Sequence, residues 1–424
     1  MSRGAGMQHC AALLTLGCLA LWMGCIHDVN RSSEHGDNAG TLPQVYLSIP
    51  DADFEELMED PFADRERRGE LVFVHHDRVD RRRCDVAIQG ASSRHYPKKS
   101  FKFDLSGALD IRPYLPETMR RWCASESGHV ILKGFAHDMS KMREYLSMYV
   151  THRAGGKGPT AGFVEFYVNQ EYYGLMVLME KINQSYLRVQ GSVGQLDLLK
   201  SLTWKGNMET REDPLAGIDV KYGSGEGYIS TVAWLNAQER GYRDMLDRTT
   251  DSTLWGYALG CFLSGETDGF GKNYYYVHNP IQNTFEFIRW DGDATWGRNW
   301  HGEPIALTWE YCSRESALFG TLWDDIGWRR EVGNRLQSLF DEGLREDLSA
   351  KLDWLQVLLA DPVERDLAQW GDTVTSFMQE FTGHDSWPHY RSGGGRAVFE
   401  HDVDLIREFV YSLPQRTRDE LGLD

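Results

Sequence analysis

The sequence runs to 424 residues, with 41% hydrophobic residues, 14 Trp and a formal net charge of −18. That length and apolar content suit a folded chain with a large core and more than one lobe, and they exclude an intrinsically disordered one. The acidic balance argues against nucleic acid or an anionic membrane as the main ligand. It leaves room for a nucleotide, which needs only a local cluster of basic groups and a metal.

Residues Ala11–Gly24 form an apolar run after an Arg-containing start, too short to cross a bilayer comfortably. The pattern predicts a secretory signal over 1–24. Gly24-Cys25 resembles a bacterial lipoprotein signal, which makes Cys25 the expected lipidation site and Gly17-Cys18 a second candidate. A protein lipidated there is extracytoplasmic, in the periplasm or on the cell surface, and held to the membrane by acyl chains alone. Residues 25–41 are polar and rich in Gly, Ser and Asn, as in a flexible linker. Of seven Cys, Cys84, Cys123, Cys261 and Cys312 follow the signal, and none forms a CxxC pair. This rules against a zinc ribbon or thioredoxin-like motif and leaves either disulfides or buried thiols.

The N-terminal half reads as a sheet. Strands are predicted at Gln44–Ile49, Glu70–His76 and Cys84–Gln89, with a short helix over Asp51–Met58 capped by Asp51 and a charged hairpin tip at Asp77–Arg83. Gly90, Ser92 and Ser93 then offer backbone and hydroxyl donors, followed by Arg94, Lys98 and Lys99, and a strand Ser100–Leu105 carries Lys102. A small-residue turn with basic groups suits a polyphosphate, although it matches neither the P-loop nor the dinucleotide fingerprint. Val130–Gly134 is a buried strand. His137–Ala154 is a helix with Ser140 as cap, bearing Arg143 and Glu144 early. In a kinase-like fold Glu144 would order a phosphate-binding lysine, Lys99 or Lys102. A hairpin Gly162–Val168/Gly174–Met179 leads to Glu180-Lys181-Ile182, where a linker between lobes would pass an adenine.

Residues 183–227 read as an insertion with a strand at Gly217–Tyr222, and helices follow over Ser230–Asp247 and Asp251–Leu263. The second helix delivers Asp268. An aromatic hairpin, Asn273–His278 and Phe285–Trp290 around Asn279-Pro280, brings its outer ends together. Asp268 and Asn273 therefore meet Asp291 and Asp293, a hard-oxygen set suited to Mg²⁺ or Mn²⁺. Protein kinases place a catalytic Asp five positions before a metal-binding Asn, then a hairpin, then a metal-binding Asp; Asp268, Asn273 and Asp291 repeat that order. Arg298–Leu307 is a loop in which His301 reads as a surface histidine. Residues 325–424 form a helical block, predicted as Asp325–Phe340, Asp341–Leu359, Pro362–Phe381 and Gly395–Leu413 and expected to pack the C-terminal lobe.

Taken together, the G-x-S-S…P-K-K-S-F-K-F run at Gly90–Phe103, D-x-S-x-x-R at Asp138–Arg143, and Y-x-G-x-x-x-L-x-E-K-I at Tyr172–Ile182 resemble the CotH kinase family. So do Asp268…Asn273-Tyr274 and W-D-G-D at Trp290–Asp293. The resemblance covers roughly 42–345. It implies an α+β, atypical protein-kinase-like two-lobed fold: an N-terminal antiparallel sheet lobe over 42–182, binding nucleotide, and a mainly helical C-terminal catalytic lobe over 183–424. It further implies ATP with Mg or Mn, and phosphorylation of secreted or surface proteins. By that resemblance Asp268 is catalytic and Asn273, Asp291 and Asp293 hold the metal. Gly90, Ser92, Ser93 and Lys99 or Lys102 hold phosphates, and Glu180 and Ile182 lie at the nucleotide. The family carries a large apolar residue where this chain has Gly292, so the metal turn is expected to lack a packing anchor. That departure supports an alternative, a weakly active or inactive surface module serving as adhesin or scaffold.

Overall fold

The computed structural model describes residues 41–422 apart from 124–125, 191–195, 238–240, 301, 306 and 384–394. The expected signal over 1–24, Cys18 and Cys25, the linker up to residue 40, and His301 lie outside the described residues. Leu42–Asp424 form one unit. The architecture is α+β, with a barrel in the N-terminal part and helices in the C-terminal part.

Apolar and β-branched residues of the first half, alternating in the first strand and continuously buried in the last two, build β1 (Gln44–Ser48), β2 (Arg67–His75), β3 (Arg78–Gln89), β4 (Ser100–Leu109), β5 (Ser127–Lys133), β6 (Ala161–Val168) and β7 (Glu171–Glu180). Their order is β1-β2-β3-β4-β5-β7-β6, and a parallel pairing of β1 with β6 closes the sheet into a barrel. Closure removes the free edges an open sheet would leave. Val45, Leu47, Leu71, Phe73, Val86, Phe101, Phe103 and Phe166 are buried in the core. The charged stretch expected as a hairpin tip mostly lies in β3, which begins at Arg78; pairing with β2 satisfies its backbone while alternate arginines stay in water. The helix α1 (Asp51–Glu59) starts at Pro50 rather than being capped by Asp51, whose carboxylate instead accepts from Asn169 Nδ2 at 2.6 Å.

The helix α2 (Arg143–Arg153) is shorter than predicted because Asp138 takes the backbone N–H groups of both Ser140 (3.0 Å) and Arg143 (2.9 Å), holding the preceding residues in turns. A second sheet contains β8 (Asp197–Ser201), β9 (Ile218–Tyr222), β10 (Tyr274–Asn279) and β11 (Thr284–Arg289) in the order β11-β10-β8-β9. The expected insertion is thus integral to the fold: β8 pairs with β10, setting Lys200 opposite Tyr275. The helix α3 (Glu226–Asn236) follows. A π-helical turn at Ser252–Tyr257 then runs into α4 (Ala258–Ser264), which ends at Gly265 in the left-handed region (φ 65°).

The C-terminal block comprises α5 (Ile326–Asp341), α6 (Leu344–Thr382) and α7 (Gly395–Leu421). Two predicted helices merge in α6, which continues through Pro362. The buried stripe Leu359, Val363 and Leu367 runs unbroken past the proline, so packing outweighs the lost backbone bond. The block does more than pack the C-terminal part, because it also braces the barrel. Asp366 of α6 accepts from Lys98 Nζ at 2.5 Å and from the backbone N–H of Leu175 in β7 at 2.9 Å. Its second oxygen lies 3.4 Å from Lys141 Nζ. Trp370 Nε1 donates to the Tyr173 carbonyl at 2.5 Å. Among the described residues Cys84, Cys261 and Cys312 are buried and form no disulfide, and no helix is long and apolar enough to cross a membrane.

Asp366→Ala strips a shared carboxylate from two buried lysines. Chemical denaturation should show a loss of about 3–5 kcal/mol; a change below about 1 kcal/mol would mean that α6 does not brace the barrel through this cluster.

Candidate active site

The β10–β11 hairpin is held by its aromatic face. Tyr274 stacks on Phe287 with centroids 4.3 Å apart, and Tyr274 sits opposite Arg289 in the ladder. The residues just beyond that pair are Asn273 and Trp290-Asp291. Asn273 (φ 60°) and Asp291 (φ 67°) both take left-handed backbone conformations, which Asn and Asp tolerate better than most residues and which concentrate at functional sites. Asp268, Asn273, Asp291 and Asp293 all line one cavity of about 410 Å³, and Gly90, Ser92 and Ser93 line it too. Gly90 has φ 123°, and a Cβ there would fall 2.0 Å from Ser93 Oγ, so the turn that covers the cavity needs glycine.

A carboxylate cluster lies at the base of the site. Glu144, from α2, offers an oxygen within 4.8 Å of oxygens from Asp291 and Asp293. Lys133, the last residue of β5, sits among them: its Nζ lies 3.0 Å from Glu144, 2.5 Å from Asp291 and 3.6 Å from Asp293. Burial disfavours the Lys133 ammonium, but Asp291, Asp293 and Glu144 together hold its pKa well above the ordinary lysine value. Burial pushes the Glu144 carboxyl up to about 7, with Lys133 pulling it down and the two aspartates adding to the rise. Asp293 resists its own burial and stays below the usual carboxylate range through Lys133 and His137, whose Nε2 lies 3.5 Å from it. The three carboxylates bring hard oxygens to one point, the donor type that divalent Mg²⁺ and Mn²⁺ take. The residues fit Mg²⁺ or Mn²⁺.

The lysine paired with Glu144 is therefore Lys133, and not Lys99 or Lys102. Lys99 Nζ donates to the Arg94 carbonyl at 2.6 Å, and Lys102 Nζ lies 3.7 Å from Glu66. The missed signal was the string Val-Ile-Leu-Lys at 130–133, close to the Val-Ala-Ile-Lys strand of protein kinases and followed by a helix carrying Glu.

Asp268 belongs to a second ionic group. Lys272 Nζ lies 2.7 Å from its carboxylate. The backbone N–H groups of Thr267 (3.1 Å) and Asp268 (3.0 Å) donate to Glu266, whose other oxygen accepts from Arg289 Nη2 at 2.8 Å. Burial pushes Glu266 up to about 7, and Arg289 works against that rise. Arg289 ends β11, so this pair ties the loop carrying Asp268 to the strand that leads into Asp291.

Gly292 is closely packed. A Cβ there would lie 2.5 Å from Ser147 Cβ, and the Gly292 carbonyl accepts from Ser147 Oγ (3.0 Å) and Thr295 Oγ1 (2.7 Å). The expected missing anchor is supplied by α2, which approaches the turn too closely for a side chain.

A second cavity of about 650 Å³ adjoins the first, sharing Gln89, Gly90, Ala91, Lys200 and Leu202 with it. Lys102 and Ile182 line it, with Lys181, Leu198 and Tyr275. Glu180 lies among the residues brought together at neither cavity; its carboxylate accepts from the Thr160 N–H (2.9 Å) and hydroxyl (2.7 Å), fastening the exit of β7. Lys99 also lines neither cavity.

A family model described as CotH kinase protein matches residues 86–413. The chain is also similar to the inner spore coat protein H of Bacillus subtilis (strain 168), 25% identical over 319 residues that span 72% of this chain and 83% of that protein.

Because Gly292 abuts Ser147, restoring a large apolar residue there should harm the protein. Gly292→Phe is expected to lower stability by about 1–3 kcal/mol, seen as a fall in melting temperature; an unchanged or raised Tm would mean the turn has room for an anchor.

Proposed function

The chain belongs to the CotH kinase family, and from that premise we propose that it is an exported ATP-dependent phosphotransferase acting on hydroxyl groups of secreted or surface proteins. The observation that carries the reading is the common cavity of Asp268, Asn273, Asp291 and Asp293 beneath the Gly90–Ser93 turn.

In this reading the barrel region over 42–182 and the remainder over 183–424 act as the two lobes of an atypical kinase. The polyphosphate lies under Gly90, Ser92 and Ser93, and the nucleoside occupies the second cavity beside Ile182. Asp291, Asp293 and Asn273 hold Mg²⁺ or Mn²⁺, which when bound neutralises phosphate charge. Lys133 is kept protonated by its carboxylates and kept in place by Glu144, so it can turn to phosphate oxygens without leaving the cluster. Asp268 orients the acceptor hydroxyl and takes its proton as the oxygen bonds to the γ-phosphorus and ADP departs. Lys272, 2.7 Å away, holds the Asp268 carboxylate in position. Little covalent chemistry falls to the protein; positioning and charge supply the rate.

Export and acylation at Cys25, with Cys18 as the second candidate, complete the proposal and put the active site outside the cytoplasm. The adhesin or scaffold reading drew its support from Gly292, and the contact of Gly292 with Ser147 accounts for that residue on packing grounds.

Purified protein with radiolabelled ATP and Mn²⁺ should phosphorylate itself or acidic, Ser-rich proteins. Asp268→Asn and Asp291→Ala should each lower the rate about 100-fold or more, while ATP with Mn²⁺ raises the melting temperature of the wild type. Equal transfer by wild type and Asp291→Ala would sink the metal assignment.

A further inference from the structure

Seven lysines stand in or beside the two cavities, and six already have an oxygen partner. Lys98 pairs with Asp366 at 2.5 Å and Lys133 with Asp291 at 2.5 Å. Lys102 faces Glu66 at 3.7 Å, and Lys181 meets Asp104 at 3.0 Å. Lys221 pairs with Asp219, and Lys272 with Asp268 at 2.7 Å. Lys200 differs. Its ammonium has neither a hydrogen bond nor an ion pair to a described residue, and Nζ lies over the rings of Trp290 (4.9 Å) and Tyr275 (5.6 Å). Two aromatic faces stabilise an ammonium without satisfying its hydrogen-bonding capacity.

Its position is as informative as its lack of partners. Lys200 lines both cavities, among the residues that the one beside Ile182 shares with the one holding Asp268 and Asp291. It comes from β8, whose ladder partner Tyr275 and the adjacent Trp290 form the floor beneath it. Burial pulls its pKa down to about 8, with Asp291 opposing the fall. An ammonium with unspent donors, half-buried on the wall of two cavities, is suited to a mobile anion.

We propose that Lys200 binds the phosphate nearest the nucleoside, the α-phosphate, as the nucleotide passes from one cavity into the other. This rests on the nucleotide-binding reading above and adds a residue and a register to it. Lys133, Asp291 and Asp293 then serve the terminal phosphates, and Lys200 fixes where along the chain of phosphates the nucleotide stops. The charge on Lys200 does this work; its hydrocarbon stem serves only to place the ammonium over Trp290.

The test is calorimetric binding of AMP, ADP and Mn²⁺–ATP to the full chain and to Lys200→Met, Lys200→Gln and Lys200→Arg, with a melting temperature for each variant. Loss of one charge-assisted contact predicts affinities for all three nucleotides weakened about tenfold or more in the Met and Gln variants. Lys200→Arg should keep most of the affinity. Met and Gln variants within twofold of wild type would overturn the assignment. So would an Arg variant as weak as the Met one, since shape rather than charge would then matter, or ADP weakened with AMP unaffected, since the contact would lie farther along. If wild type itself binds none of the three, the nucleotide reading falls and this inference falls with it; if wild type binds and Lys200→Met binds equally, only this inference fails.

Discussion

The ammonium of Lys133, wedged between Glu144 and Asp291, is the contact on which the site depends. It joins the end of a barrel strand, the first turn of α2 and the turn after the β10–β11 hairpin. Each of these elements is folded by its own apolar pattern, yet their meeting point is ionic and buried. A buried ion pair yields little net stability once desolvation is counted, but losing one partner strands the others. The cluster is therefore better understood as a device that makes three elements agree on one geometry than as a source of stability.

A second tier of buried charge sets α2 itself. Arg143, next to Glu144, donates to Asp138 at 2.7 Å and pairs with Asp402 of α7. Its Nε donates to the carbonyl of Thr295 at 3.0 Å, and Arg298 reaches the same Asp402 at 2.8 Å. Thus the C-terminal helix grips both the helix that carries Glu144 and the loop that follows Asp293. With Asp366 clasping Lys98 from α6, the helical block holds the strand that follows the Gly90–Ser93 turn and the Asp291–Asp293 turn at once. Gly292 belongs to the same scheme. Its missing side chain lets Ser147 of α2 bond directly to the turn, so close backbone approach replaces an apolar plug.

Much of this was legible in the residues alone. The aromatic hairpin, the Asp268–Asn273 spacing and the Asp291–Asp293 turn are local patterns, and hairpin geometry forces their ends together whatever surrounds them. Strands of the first half followed from alternation at Gln44–Ile49 and from short apolar and β-branched runs elsewhere, and the helices of the last hundred residues from their apolar period. The partner of Glu144 was not legible by nearness to the Gly90 turn: Lys99 and Lys102 follow that turn in sequence, whereas Lys133 arrives from another strand. Nor did hydropathy reveal that β8 is central, because its few residues sit within polar, Gly-containing surroundings.

The sequence by itself determined the local elements and the chemical identity of the acidic site, since side-chain period and turn chemistry act over a few residues. Only the tertiary structure decided which lysine meets Glu144, that β1 and β6 close a barrel, and that Gly292 is a contact rather than a defect. Those outcomes depend on segments far apart in the chain, whose approach is set by the packing of the whole core and leaves no mark in any one stretch of sequence.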